Sequence, residues 1–236
     1  MNLRKFYIIF SIFVLGFLDF LSAQNDTFRV NVYGLKVIDD YEVYNDVVTR
    51  DSSKKLVDVE SVIPNIKLDI RYATTNNFVG EIMYSKPKAY LVKSAAVALY
   101  FVQSHLAASG LGLKIYDAYR PYSVTLKFWE KIKDTNFVAP PWRGSKHNRG
   151  TAVDLTLIDL KTGEELKMPT EYDEFTEKAY PYYEDLPSDV IENRNFLINI
   201  MAAYGFYVEP TEWWHFNYKS WAEYELLDIP FEKLEN

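Results

Sequence analysis

The chain has 236 residues, 48% of them hydrophobic and 17% aromatic, enough apolar material for one compact domain with a substantial core. Its formal net charge of −7 excludes the basic excess that marks a nucleic-acid binder. It has no cysteine, so it forms neither a disulfide nor a lipid-modified thiol, and its stability has to rest on the core or on a bound ion.

The N-terminus reads as a secretory signal peptide over residues 1–23. Arg4 and Lys5 precede an almost unbroken apolar run from Phe6 to Leu18, and Leu21-Ser22-Ala23 offers small residues for cleavage before Gln24. The run falls short of the ~20 residues needed to cross a bilayer, and Asp19 interrupts it, which disfavours the alternative of a membrane anchor. The expectation is an exported protein, periplasmic or extracellular, with no membrane span after processing.

Residues 24–60 look like a lead-in segment, mixed polar and β-branched, with scope for pairing at a sheet edge and a loop at Ser52-Ser53-Lys54-Lys55. The main domain is placed at 61–236. Leu68-Asp69-Ile70-Arg71-Tyr72 alternates like a strand and runs into the turn-rich TTNNFVG. Lys93–Ala108 carries apolar residues at helical spacing (Ala96, Leu99, Tyr100, Val102), with Gly110 placed for a C-terminal cap. Leu113–Ala118 is a strand candidate. Pro121 suits the first position of a helix running to about Lys133. Thr151–Ile158 is rich in β-formers, Ser188 can cap a helix over 189–203 closed by Gly205, and Phe206–Val208 and Trp213–Tyr218 read as the last strands. Without a regular βαβ rhythm, the pattern predicts a single α+β domain. Its central sheet is expected to be largely antiparallel and flanked by helices.

Two of the three histidines stand near a carboxylate. In SKHNRGTAVDLTL (145–157), His147 and Asp154 lie seven apart. In TEWWHF, Glu212 precedes His215 by three. Two imidazoles and a carboxylate are an adequate protein set for catalytic zinc, which keeps a fourth position open to water. On an uninterrupted strand, positions seven apart face opposite sides, so His147 and Asp154 converge only if the chain turns at Asn148-Arg149-Gly150. Pro210 and Thr211 place Glu212 in a loop, free to lean over the metal. A histidine near an aspartate is also a common plain hydrogen-bonded pair, and the spacing alone does not separate the two. His105, on a predicted helix with no acid nearby, reads as structural or exposed.

DAYRP (117–121), SKHNRGTAVDLTL and EWWHF (212–216), in that order, resemble the D-alanyl-D-alanine dipeptidases of the VanX type. These belong to a broader group of zinc peptidases that includes D,D-carboxypeptidases and the hedgehog signalling domain. Ser145, His147, Gly150, Ala152 and Asp154 fill the group's Ser-x-His-x-x-Gly-x-Ala-x-Asp signature. LDIRYATTNNFVG (68–80) and residues 159–175 also resemble family segments, so the likeness spans about residues 60–220.

The resemblance implies one zinc ion held by His147, Asp154 and His215. It also implies Glu212 as catalytic base, Arg120 as the group that stabilises the transition state, and Ser145 and Tyr72 along the substrate pocket. The implied substrate is a small dipeptide, with peptidoglycan fragments as the substrate of the alternative, a D,D- or L,D-carboxypeptidase. A zinc-stabilised binding module without catalysis is the reading from another class, and the presence of Glu212 and Arg120 argues against it. Arg120 has a structural alternative in a salt bridge to Asp117. Asp173 and Glu171 are candidates for a substrate ammonium but read more readily as solvated acids. Trp142 is a candidate cleft wall, and Trp213, Trp214 and Phe216 read as core.

Overall fold

The computed structural model describes residues 30–135 and 137–235; the expected signal peptide lies outside them. The elements in chain order begin with β1 (Val37–Ile38), α1 (Tyr41–Arg50), β2 (Leu56–Asp58), α2 (Val59–Val62), β3 (Lys67–Leu68), β4 (Tyr90–Val92) and α3 (Lys93–Ala107). There follow β5 (Leu111–Asp117), α4 (Tyr122–Lys131), β6 (Ala152–Asp159), α5 (Ser188–Ala203), β7 (Phe206–Glu209), β8 (Glu212–Tyr218) and β9 (Leu226–Leu227). The main sheet has the order β3-β5-β6-β8-β7 and is antiparallel except where β3 joins β5. The fold is therefore α+β, as the sequence predicts. No helix among the described residues is long and apolar enough to cross a membrane.

The core explains the sheet's position. β6 is buried along almost its whole length, and Val153, Leu155 and Leu157 have no exposed surface. α3 and α5 pack against each other and against the sheet, and their buried side chains include Leu99, Val102, Leu197 and Met201. Trp213, Trp214 and Phe216 are buried in the same core, as expected for β8.

Several local expectations shift. The strand expected at Leu68–Tyr72 shortens to β3, and Arg71–Ala73 form a 3-10 turn. The alternating burial persists, with Ile70 and Tyr72 inside, because the Asp69–Arg71 ion pair at 2.8 Å holds the turn while apolar neighbours face the core. Pro121 and Pro187 occupy the cap positions of α4 and α5, so Ser188 is the first helical residue and not the cap, and α4 ends at Lys131. Residues 37–58 contribute to the same core through Ile38, Tyr44, Val47 and Leu56. β1 pairs in parallel with β9, and β2 pairs with β4, so this segment is tied to both ends of the domain.

Candidate active site

The site forms where three stretches of chain meet over the middle of the sheet. β5 ends with a register shift between Ile115 and Asp117, and leads into Ala118-Tyr119-Arg120. His147 opens a 3-10 turn that ends at Gly150, with φ of +65°; β6 follows from Ala152. A side chain at 150 would be strained by that backbone, and its Cβ would run into Leu56. This is the turn that the seven-residue spacing requires. Asp154 on β6 then pairs directly with His215 on β8, which places the two side chains on one face. Arg120 N–H donates to the His147 carbonyl at 3.1 Å and Asn148 Nδ2 to the Arg120 carbonyl at 2.9 Å, which ties the two loops together.

The three predicted ligand side chains converge and all are buried. Asp154 Oδ1 lies 3.3 Å from His147 Nε2 and 3.1 Å from His215 Nδ1, and the two ring nitrogens are 3.2 Å apart. The outward nitrogens have acceptors of their own: the Ala118 carbonyl is 2.6 Å from His147 Nδ1, and Asn217 Oδ1 is 2.8 Å from His215 Nε2. With the ring protons placed outward, three lone-pair-bearing atoms face one another, and Asp154 Oδ1 has no hydrogen-bond donor among the described residues. That is an unfavourable arrangement unless a cation sits between them. Donors bound to zinc at about 2.0–2.2 Å in a tetrahedron stand about 3.3–3.6 Å apart, close to the spacing here. The residues therefore fit the ion.

The electrostatics agree. Burial opposes ionisation of Asp154, but the two imidazoles hold its carboxyl well below the usual carboxylate range. Burial likewise opposes a charged His215, yet Asp154, with Glu212 and Glu209 behind it, pushes that imidazole up to about 9 in the metal-free protein. Such a pocket attracts positive charge.

Glu212 stands beside this cluster, its Oε2 at 3.4 Å from His215 Nδ1. It is the first residue of β8 and not part of a loop. The register shift between Val208 and Glu209 breaks the alternation that would otherwise separate positions 212 and 215. Burial, reinforced by Asp154 and Glu209, raises its carboxyl to about 7, a value suited to a general base near neutrality.

Arg120 makes the salt bridge to Asp117 offered as its structural alternative, and it also faces the cleft. Its Nη2 and Nε donate to Asp117 Oδ2 at 2.6 and 3.2 Å. The guanidinium lies against the rings of Phe128 and Tyr72 and lines the cleft. Burial works against its charge, but Asp117 more than compensates. Asp117 is fully buried and also accepts from the Tyr84 hydroxyl at 2.6 Å and the Ala118 N–H at 2.9 Å.

These groups line a cavity of about 370 Å³. Ser145 and Tyr72 are on its wall. The Ser145 hydroxyl also accepts the His147 N–H at 3.2 Å, so it shapes the ligand turn as well. The reading of Asp173 as a solvated acid does not hold. The Tyr72 hydroxyl donates to its carboxylate at 3.0 Å, and burial and the charge of Asp154 push its carboxyl well above the usual range. Glu171 is exposed, as expected of it. Tyr172, which the sequence did not single out, donates to Asp154 Oδ2 at 2.9 Å. Trp142 is outside the cavity lining, exposed and edge-on to Trp129 at 5.3 Å. His105 is exposed, with Nδ1 3.1 Å from the Tyr204 hydroxyl.

A buried His–Asp–His cluster with a glutamate alongside, opening on a cleft, is a set that could hold a metal ion. A model of the D-ala-D-ala dipeptidase family (Peptidase_M15) matches residues 52–231. A D-alanyl-D-alanine dipeptidase of Escherichia coli (strain K12) is 38% identical over 177 residues, 75% of this chain and 91% of that protein. A D-alanyl-D-alanine dipeptidase of Enterococcus faecalis (strain ATCC 700802 / V583) is 29% identical over 193 residues, 73% and 92% of the two chains. Among solved structures, the LdcB LD-carboxypeptidase aligns over 72% of this chain and 71% of its own, at 21% identity and a TM-score of 0.41. The chain belongs to the D-alanyl-D-alanine dipeptidase family.

Proposed function

We propose that this protein is exported and hydrolyses the D-alanyl-D-alanine dipeptide to two D-alanines, using one zinc ion held by His147, Asp154 and His215. The observation that carries the reading is the set of three buried ligand atoms 3.1–3.3 Å apart, each imidazole with an acceptor at its outer nitrogen, beside the Glu212 carboxyl. When bound, zinc acidifies water and polarises the scissile carbonyl.

The remaining chemistry belongs to the chain. Glu212 Oε2 accepts a proton from the attacking water and returns it to the leaving amine. Arg120 Nη1 donates to the oxygen that gains negative charge, and Asp117 holds the guanidinium in place. Asp173, with the Tyr72 hydroxyl, takes the substrate ammonium. A docked cation restores the carboxylate charge that burial disfavours there, and fixes the first residue at a set distance from the reacting carbonyl.

The test is to incubate the zinc-loaded protein with D-Ala-D-Ala and measure free D-alanine. Release that disappears in Glu212→Gln, with zinc content retained, supports the reading. No release from the dipeptide, with D-alanine or another terminal residue released from muropeptides, replaces it with a wall carboxypeptidase.

A further inference from the structure

His215 presents a lone pair at Nδ1 only when its proton is on Nε2. A neutral imidazole has one proton, and the hydrogen bond made by the outer nitrogen decides where it resides. Here the outer partner is the side-chain amide of Asn217, two residues on in β8 and therefore on the same face. Its Oδ1 lies 2.8 Å from His215 Nε2.

An amide is nearly symmetric in shape and opposite in polarity at its two ends. Turned over, Asn217 would donate to Nε2, drive the ring proton to Nδ1 and aim that N–H at Asp154 Oδ1. The place of the cation would then be blocked. Glu209 prevents this. Its Oε2 is 2.8 Å from Asn217 Nδ2, and an ionised carboxylate only accepts, so the NH2 end is held toward Glu209 and the oxygen toward His215. Lys146 Nζ, 2.7 Å from the same Glu209 oxygen, anchors the chain from the residue that precedes His147. Its ammonium lies 5.4 Å over the Trp221 ring, which fixes its own position.

We propose that Glu209, acting through Asn217 and held by Lys146, is a positioning residue that sets the His215 tautomer needed for metal binding. The inference rests on the assignment of His215 as a zinc ligand and identifies what makes it one. The competing account is that the Lys146–Glu209 pair merely braces the irregular end of β7.

Two measurements decide between them. In zinc-loaded wild-type protein, the imidazole 15N resonances of the three histidines report each tautomer; His215 should be protonated at Nε2 and metal-bound at Nδ1. Zinc affinity, measured by competition with a chromophoric chelator, should fall about 10–100-fold in Glu209→Gln. The near-isosteric exchange Glu209→Gln with Asn217→Asp moves the acceptor-only group next to His215, and should regain most of that loss. A merely bracing pair predicts no such recovery, because the exchange also removes the Lys146 ion pair. The proposal is overturned by a proton on His215 Nδ1. It is equally overturned by wild-type affinity in folded Glu209→Gln, or by a folded double variant no tighter than the single one. Wild-type protein that takes up no zinc at all would instead overturn the metal assignment, a distinct result.

Discussion

The two walls of the cleft are built differently. One is the sheet wall, where His147, Asp154, His215 and Glu212 are fixed by strand pairing and by a turn that tolerates only glycine at 150. The other is carried by loops, where Tyr72, Phe78, Phe137, Asp173 and Phe175 stand on irregular backbone and pack ring against ring, Phe78 to Phe175 at 5.5 Å and Phe137 to Phe175 at 4.9 Å. The sheet wall holds reacting groups to a tolerance that chemistry needs. The loop wall offers shape and one charge. Changes to the first should appear in turnover, and changes to the second in substrate affinity.

The largest expected effect is at Glu212. Glu212→Gln keeps the side-chain volume and removes the base, and kcat should fall about 10²–10⁴-fold with zinc still bound, as elemental analysis would show. Arg120→Lys should lower kcat about 10²–10³-fold, because a lysine cannot hold Asp117 with two nitrogens and still present a third. Steady-state kinetics at saturating substrate measure both.

The pH dependence of zinc affinity tests the electrostatics of the sheet wall. With His215 raised to about 9 in the metal-free protein, zinc must displace a proton at any pH below that value. Affinity should therefore rise with pH, by about tenfold per unit from this proton, and level off near pH 9; chelator competition at several pH values reads it. A downward trend with rising pH would contradict the assignment.

On the loop wall, Asp173→Asn should raise KM by roughly 10–100-fold, the worth of one charge-assisted contact, and leave kcat nearly unchanged. A comparable loss in kcat would mean that the two walls do not divide the work. Phe137→Ala, removing a partly exposed ring, should change KM by less than about tenfold and leave zinc binding alone.

The sheet wall was the part legible in the sequence. His147, Asp154 and His215 carry their spacing, Gly150 announces the turn, and Arg120 sits in a recognisable segment. The structure brings His147, Asp154, His215 and Arg120 to one cleft. The loop wall was not legible. Asp173 lies in TEYDEF, a stretch with no strand or helix period, and its hydrogen-bond partner Tyr72 is one hundred and one residues away. Tyr172 was hidden for the same reason: its partners Asp154 and Tyr72 are set by tertiary packing and not by neighbours in sequence. Pro210 points to a loop at Glu212, whereas a strand irregularity delivers the same freedom. Half of α1 is Tyr or Val, residues that favour strands, so the segment reads as β in the sequence; packing of Tyr44 and Val47 against the body of the domain holds it as a helix.

The central claim is that two imidazoles and one carboxylate share a single cation. Crystals of zinc-loaded protein, with diffraction data collected on either side of the zinc absorption edge, test it directly. The account predicts one strong anomalous peak per chain, within about 2.0–2.2 Å of His147 Nε2, Asp154 Oδ1 and His215 Nδ1. A peak elsewhere, or three side chains closed on one another with none between them, would contradict it.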